Sequence, residues 1–225
     1  MSQDRIWKYF QGEGVESFSG SEGRMRYLSK MVKPGERVLN IGLGSGIFEK
    51  LCLESGIDIH TLDPDSEAIL RISQELARTD KMKPGYSQSI PWPEIYFDVV
   101  VMSEVLEHLD DKTLDTSIRE AWRVLKNGGR FIGTVPAHED LRELTVVCPD
   151  CGSTFHRWGH LQSFDAGRLN NLLSESFASI RVNEQLFVSW NTLNWKGKFL
   201  SGIKYALYTL GVHGSGENLY FQAIK

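Results

Sequence analysis

Three glycines, one carboxylate and a cluster of cysteines and histidines are the residues whose types and spacing could do chemistry. Gly42, Gly44 and Gly46 fall in residues 37–48, RVLNIGLGSGIF, where a β-prone apolar run gives way to glycine and then to a helical pattern. Strand, glycine turn and helix in that order lay a polar ligand across a helix N-terminus. Without Cβ atoms the backbone is open to close approach, and the turn is free to use positive φ. A sharp turn needed for steric reasons alone uses the same residues, so the loop wants a companion. Asp63 is that companion, standing in Asp63-Pro64-Asp65 at the end of a strand predicted over residues 57–62. In a doubly wound sheet a carboxylate there faces the glycine loop and accepts both hydroxyls of a ribose. Its rival role is to cap a helix over residues 66–78. Loop and carboxylate together point to a nucleoside-containing ligand. Position 47 is Ile, where a dinucleotide fingerprint wants Gly or Ala, and this speaks against a nicotinamide-dependent oxidoreductase.

Residues 148–160 read CPDCGSTFHRWGH, which sets Cys148, Cys151, His156 and His160 in a C-x2-C-x4-H-x3-H pattern. Two thiolates on one turn, followed by Gly152, match the knuckle of a zinc ribbon. Four such ligands with no open position make a structural Zn²⁺ site. Two metal-free readings stand beside it: a loop in which His156 or His160 serves a substrate pocket, and a thiol pair that only packs. A non-catalytic binding module built on the knuckle is the corresponding third function class.

These groups need a sheet to position them. Phe97 opens a near-continuous apolar run over residues 97–102, as expected of a central parallel strand. Ser103, Glu104, Glu107 and His108 follow its carboxyl end, the edge where open α/β sheets bind ligands. Further strands are predicted over residues 130–135 and 180–188, and helices over 47–55, 114–125 and 165–174. Phe48, Leu51 and Cys52 face inward on the first of these helices, so Cys52 reads as core. Residues 190–212 carry Trp195, Phe199, Leu200, Ile203, Leu207 and Leu210 at helical spacing, interleaved with Lys196, Lys198 and Lys204. A lid over an apolar acceptor, a surface-lying amphipathic helix and an ordinary packed helix all fit.

Four stretches carry a family resemblance in order and register: VLNIGLGSG (38–46), HTLDPD (60–65), FDVVVMSEVLEHL (97–109) and REAWRVLKNGGRFIGTVP (119–136). On these the chain resembles the class I S-adenosylmethionine-dependent methyltransferases, in the small-molecule branch that includes quinone-biosynthesis enzymes. The resemblance implies a Rossmann-like α/β fold: a seven-stranded sheet, helices on both faces and an antiparallel final strand. That strand falls on residues 218–224, although residues 217–222 spell ENLYFQ, the recognition hexapeptide of a tag-removal protease. It further implies that Gly42, Gly44 and Gly46 hold the methionine portion of the cofactor and that Asp63, beside Pro64, holds the ribose. Ser103 and Glu104 would border the sulfonium, and Ser87 or Gln88 would meet adenine where relatives have an acid. Asn40 stands where relatives carry Asp or Glu, a departure that removes a charge. His108 and His138 would lie on the acceptor side as catalytic candidates, since an oxygen acceptor of high pKa wants a general base. Trp7, Tyr9 and Phe10 would belong to an N-terminal lid over residues 1–32. The reading is therefore one domain over residues 1–225, with a Cys/His insertion at 145–162 and a helical insertion at 190–214.

A length of 225 residues suits one buried core. A formal charge of −4 gives no basic field for nucleic acid. No apolar run is long enough to span a bilayer, which leaves at most peripheral membrane contact, and no charged-then-apolar leader opens the chain. Three cysteines are too few for a disulfide framework, so a cytoplasmic enzyme acting on a small-molecule acceptor is the expectation.

Overall fold

The computed structural model describes residues 20–210 and 217–225, so Trp7, Tyr9, Phe10 and most of the expected lid lie outside the described residues. Helix α1 (Glu22–Lys30) leads into β1 (Arg37–Ile41), α2 (Ile47–Glu54), β2 (Asp58–Asp63), α3 (Ser66–Glu75) and β3 (Met82–Pro84). The chain continues through β4 (Phe97–Ser103), a 3-10 turn at Leu106–His108, α4 (Asp111–Val124) and β5 (Leu125–Pro136). A hairpin of β6 (Thr145–Val147) and β7 (Thr154–His156) precedes α5 (Ala166–Ser174), β8 (Ser179–Gln185), α6 (Trp195–Thr209) and β9 (Asn218–Ile224). Seven strands form one sheet in the order β3-β2-β1-β4-β5-β9-β8. β1 to β5 run parallel, and β9 runs antiparallel to both of its neighbours, β5 and β8. The seven-stranded sheet with its antiparallel final strand is the fold expected.

Alternation along β4 makes the layers. Val100 and Met102 face a core shared with Ile118 and Ala121 of α4 and Leu169 and Leu173 of α5. Val99 and Val101 face Leu28 of α1 and Phe48 and Cys52 of α2. Both faces of a parallel strand are thus buried, which is why residues 97–102 show no polar alternation. Cys52 is a core residue, and burial pushes its thiol pKa up. The cap of α3 is Asp65, whose Oδ1 accepts the N–H groups of Glu67 and Ala68. Asp63 is thereby relieved of the capping role that the sequence left open to it. Trp92 is core rather than pocket, packed edge-on against His60 and Phe97. Helix α6 buries none of its residues: Trp195, Phe199 and Leu200 are all largely exposed. No described helix is long and apolar enough to cross a membrane.

Candidate functional site

The carboxyl ends of β1, β2 and β4 open onto a cleft of about 610 Å³, within the range of small-molecule sites. One half is lined by Asn40, the glycine loop from Gly42 to Ser45, Asp63, Pro64, Ser87 and Gln88. The other half of the lining is His108, Leu109, Thr113, Glu139, Trp158 and His160, and Ser103, Glu104 and Arg24 line the cleft as well. The cofactor residues singled out in the sequence are brought together here, apart from Gly46, which caps α2 immediately behind the loop at φ 78°.

The loop is held from below. Gly42 has φ 95°, and a Cβ there would meet Val105 Cγ2 at 2.8 Å, so only glycine fits between β1 and the turn after β4. Asp63 is almost wholly buried and both its oxygens are engaged: Oδ2 accepts the Leu43 N–H at 2.7 Å and Oδ1 the Asp65 N–H at 2.8 Å. These bonds orient the Asp63 carboxylate, which lines the cleft. Asn40 donates to the Gly42 carbonyl at 3.0 Å and to Glu49 Oε1 at 2.7 Å. The acid missing at position 40 is thus found one element later, on α2. Glu49 is fully buried, and burial raises its pKa to about 7 against the bonds from Asn40 and Thr61. A buried Glu nine residues beyond Asn40 carries no local pattern that would flag it.

Glu104 adopts φ 57°, a left-handed conformation that costs a side-chain-bearing residue about 1 kcal/mol or more. It is held there by its N–H to the Thr134 carbonyl at 2.8 Å, and its Oε1 accepts from Thr134 Oγ1 and Asn218 Nδ2 at 3.0 Å each. Arg24, which the sequence did not single out, donates to Ser103 Oγ at 3.0 Å and ties α1 to the end of β4. Ser87 Oγ lies 2.7 Å from Ser117 Oγ in a buried pair, while Gln88 is exposed at the cleft edge.

The two histidines named as catalytic candidates part company. His108 lines the cleft, and burial together with His160 and His156 lowers its pKa to about 3. His138 is exposed, paired with Glu184 at 3.0 Å, and borders a separate shallow depression with Glu139 and Asp140. The expected four-ligand set parts too. In the β6–β7 register Thr145 faces His156 and Val147 faces Thr154, which sends Cys148 and Cys151 to the hairpin tip and His156 to its base. Among the described residues, the groups of three possible metal ligands are Glu107, His108 and His160, and Glu139, His156 and His160. Neither contains a cysteine.

Residues 39–133 match the family model described as a methyltransferase domain. The ubiquinone/menaquinone biosynthesis C-methyltransferase of Vibrio campbellii is 31% identical over 108 residues, which cover 44% of this chain and 41% of that protein. The chain thus spans about two-fifths of the length of such curated relatives. Among solved structures, a methyltransferase of Thermotoga maritima described as a possible histamine N-methyltransferase superposes with a TM-score of 0.65 at 19% identity, covering 100% of both chains. The phosphoethanolamine N-methyltransferase 2 of Haemonchus contortus, solved with S-adenosyl-L-methionine, gives a TM-score of 0.65 at 15% identity over 100% of this chain and 60% of that one. Residues 39–133 thus resemble a methyltransferase domain, and the chain as a whole has the fold of the solved S-adenosylmethionine-dependent methyltransferases on which it superposes.

Proposed function

We propose that the protein moves a methyl group from S-adenosylmethionine to an oxygen atom of a small-molecule acceptor. The observation that carries the reading is one cleft with two chemically different halves. Bare glycine backbone and an oriented carboxylate line the first, and imidazoles line the second. The donor set of the first half fits the cofactor. The Asp63 carboxylate would meet the ribose hydroxyls, the Gly42–Ser45 backbone the amino-acid end, and Gln88 the adenine edge. Bound there, S-adenosylmethionine supplies an electrophilic methyl carbon whose leaving group departs as a neutral thioether. What the chain must add is alignment and exclusion of water. Ser103 and Glu104, fixed by Arg24 and Thr134, wall the space between cofactor and acceptor. The His108 imidazole and the His160–Glu139 pair offer lone pairs to an acceptor hydroxyl.

Calorimetry with S-adenosylhomocysteine tests the first half, and release of that product in the presence of phenol, catechol and hydroxy-acid acceptors tests the second. Tight binding together with turnover of at least one oxygen acceptor is the expected result. Absence of binding, with NADH bound instead, would replace methyl transfer by nicotinamide chemistry.

A further inference from the structure

Glu107 has no place in the account so far, yet its carboxyl group is fully buried and neither oxygen has a hydrogen-bond partner. A buried carboxyl in that state is costly whether ionised or neutral. It stands with His108 and His160 in a group whose ligand atoms all lie within 4.8 Å of one another. We propose that Glu107, His108 and His160 bind a divalent first-row transition ion, with its remaining coordination position open to the cleft.

Tautomers separate this group from its neighbour. His108 Nδ1 faces the Gly159 carbonyl at 3.3 Å, an acceptor only, so Nδ1 carries the proton and Nε2 the lone pair. His160 Nδ1 faces Glu139 Oε2 at 2.5 Å and is fixed the same way, which puts its lone pair on Nε2 as well. A carbonyl on one imidazole and a carboxylate on the other are the outer partners that metal-bound histidines ordinarily have. His156 is different. Its Nδ1 accepts the His160 N–H at 3.1 Å, which puts the proton on Nε2, a buried atom 3.6 Å from Glu139 Oε1. Glu139 thus faces both His156 and His160 and holds the His160 ring at Nδ1.

Two imidazoles and one carboxylate suit Zn²⁺ and its first-row neighbours, and three protein ligands mark a site that keeps a position open. Ligand atoms around a tetrahedral ion with ~2.0 Å bonds stand roughly 3.3 Å apart, so the group closes by at most about 1.5 Å on binding. His108 and His160 line the cleft, and an acceptor hydroxyl there would take the open position. It gives its proton to water, and its oxygen forms the bond to the methyl carbon while the carbon–sulfur pair returns to sulfur. That use of the ion rests on the methyl-transfer reading; the binding of the ion does not.

Chelator-treated protein titrated with ZnCl₂ and with CoCl₂ tests the site without any acceptor or cofactor. One equivalent of each should bind, and the cobalt spectrum should lack a thiolate charge-transfer band. Glu107→Gln and His160→Ala should each weaken zinc binding at least a hundredfold, while the double variant Cys148→Ser, Cys151→Ser should leave it unchanged. Retained S-adenosylhomocysteine binding would show that the Glu107→Gln protein is folded. Absence of stoichiometric binding by the wild-type protein overturns the proposal. A thiolate band in the cobalt spectrum overturns it too, as does loss of binding in the cysteine variant with Glu107→Gln unaffected.

Discussion

Glu49 sits at the hinge between what position 40 lacks and what the glycine loop needs. Its folded pKa of about 7 lies above the ordinary 4.5 of a free carboxyl. Below 4.5 both states are protonated and stability is full. Between 4.5 and 7 the unfolded chain loses a proton that the folded chain keeps, so stability falls by about 3 kcal/mol and then levels off. Glu49→Gln keeps an oxygen for Asn40 and Thr61 and removes the titration. The difference between wild type and variant in urea unfolding should therefore change across pH 4.5–7 and nowhere else. Asp63 carries a second prediction. Asp63→Ala should weaken S-adenosylhomocysteine binding at least tenfold, about 1.4 kcal/mol, whereas Asp63→Asn, which keeps an oxygen for the Leu43 N–H, should recover part of it. Unchanged affinity in calorimetry would remove the ribose assignment. Asp63 and the glycines were legible because their spacing is set by one strand, one turn and the next strand. Glu49 and Arg24 were not singled out, because each reaches its partners across the fold rather than along the chain.

At the scale of elements, long apolar runs gave the best reading. The strand expected at 97–102 is β4, and the one expected at 218–224 is β9 (Asn218–Ile224). The three residues of β3 escaped notice, since Met82–Pro84 is too short for any periodicity and its place is set by pairing with β2. β5 begins at Leu125, earlier than the expected 130, because Leu125 already pairs with Phe97 ahead of an irregularity in the ladder, and Gly128 and Gly129 bond the backbone of Lys225. The Cys/His spacing was misleading for a related reason. A hairpin register decides which side chains meet, and register follows from cross-strand pairing that a linear pattern does not contain. The packing of β4 on β5 yields a sharp prediction at Gly133, where a Cβ would fall 1.8 Å from the Met102 carbonyl oxygen and 2.7 Å from Phe221. Neither backbone can yield without parting two central strands. Gly133→Ala should cost at least about 3 kcal/mol in denaturant unfolding; a loss under 1 kcal/mol would mean that the strands are less tightly joined.

For the molecule as a whole, β9 decides how the sheet is closed. It is hydrogen-bonded on both edges, to β5 through Arg130↔Ile224 and to β8 through Ser179↔Ile224, and Leu219, Phe221 and Ala223 are buried. The protease hexapeptide at residues 217–222 therefore lies inside the sheet. A protease reads its substrate as a free extended segment, so cutting after Gln222 should be negligible in the native protein and should rise with the unfolded fraction as urea is added. Native cleavage as fast as that of a short peptide bearing the same hexapeptide would sink the placement. One consequence follows for how the chain comes to be folded. Among the described strands β8 pairs with β9 alone, so a nascent chain that has already made β8 has no strand for it to pair with. The closing third of the sheet must wait, with Phe131 and its neighbours bare on one flank, until seven late residues slide into the gap and join both sides at once.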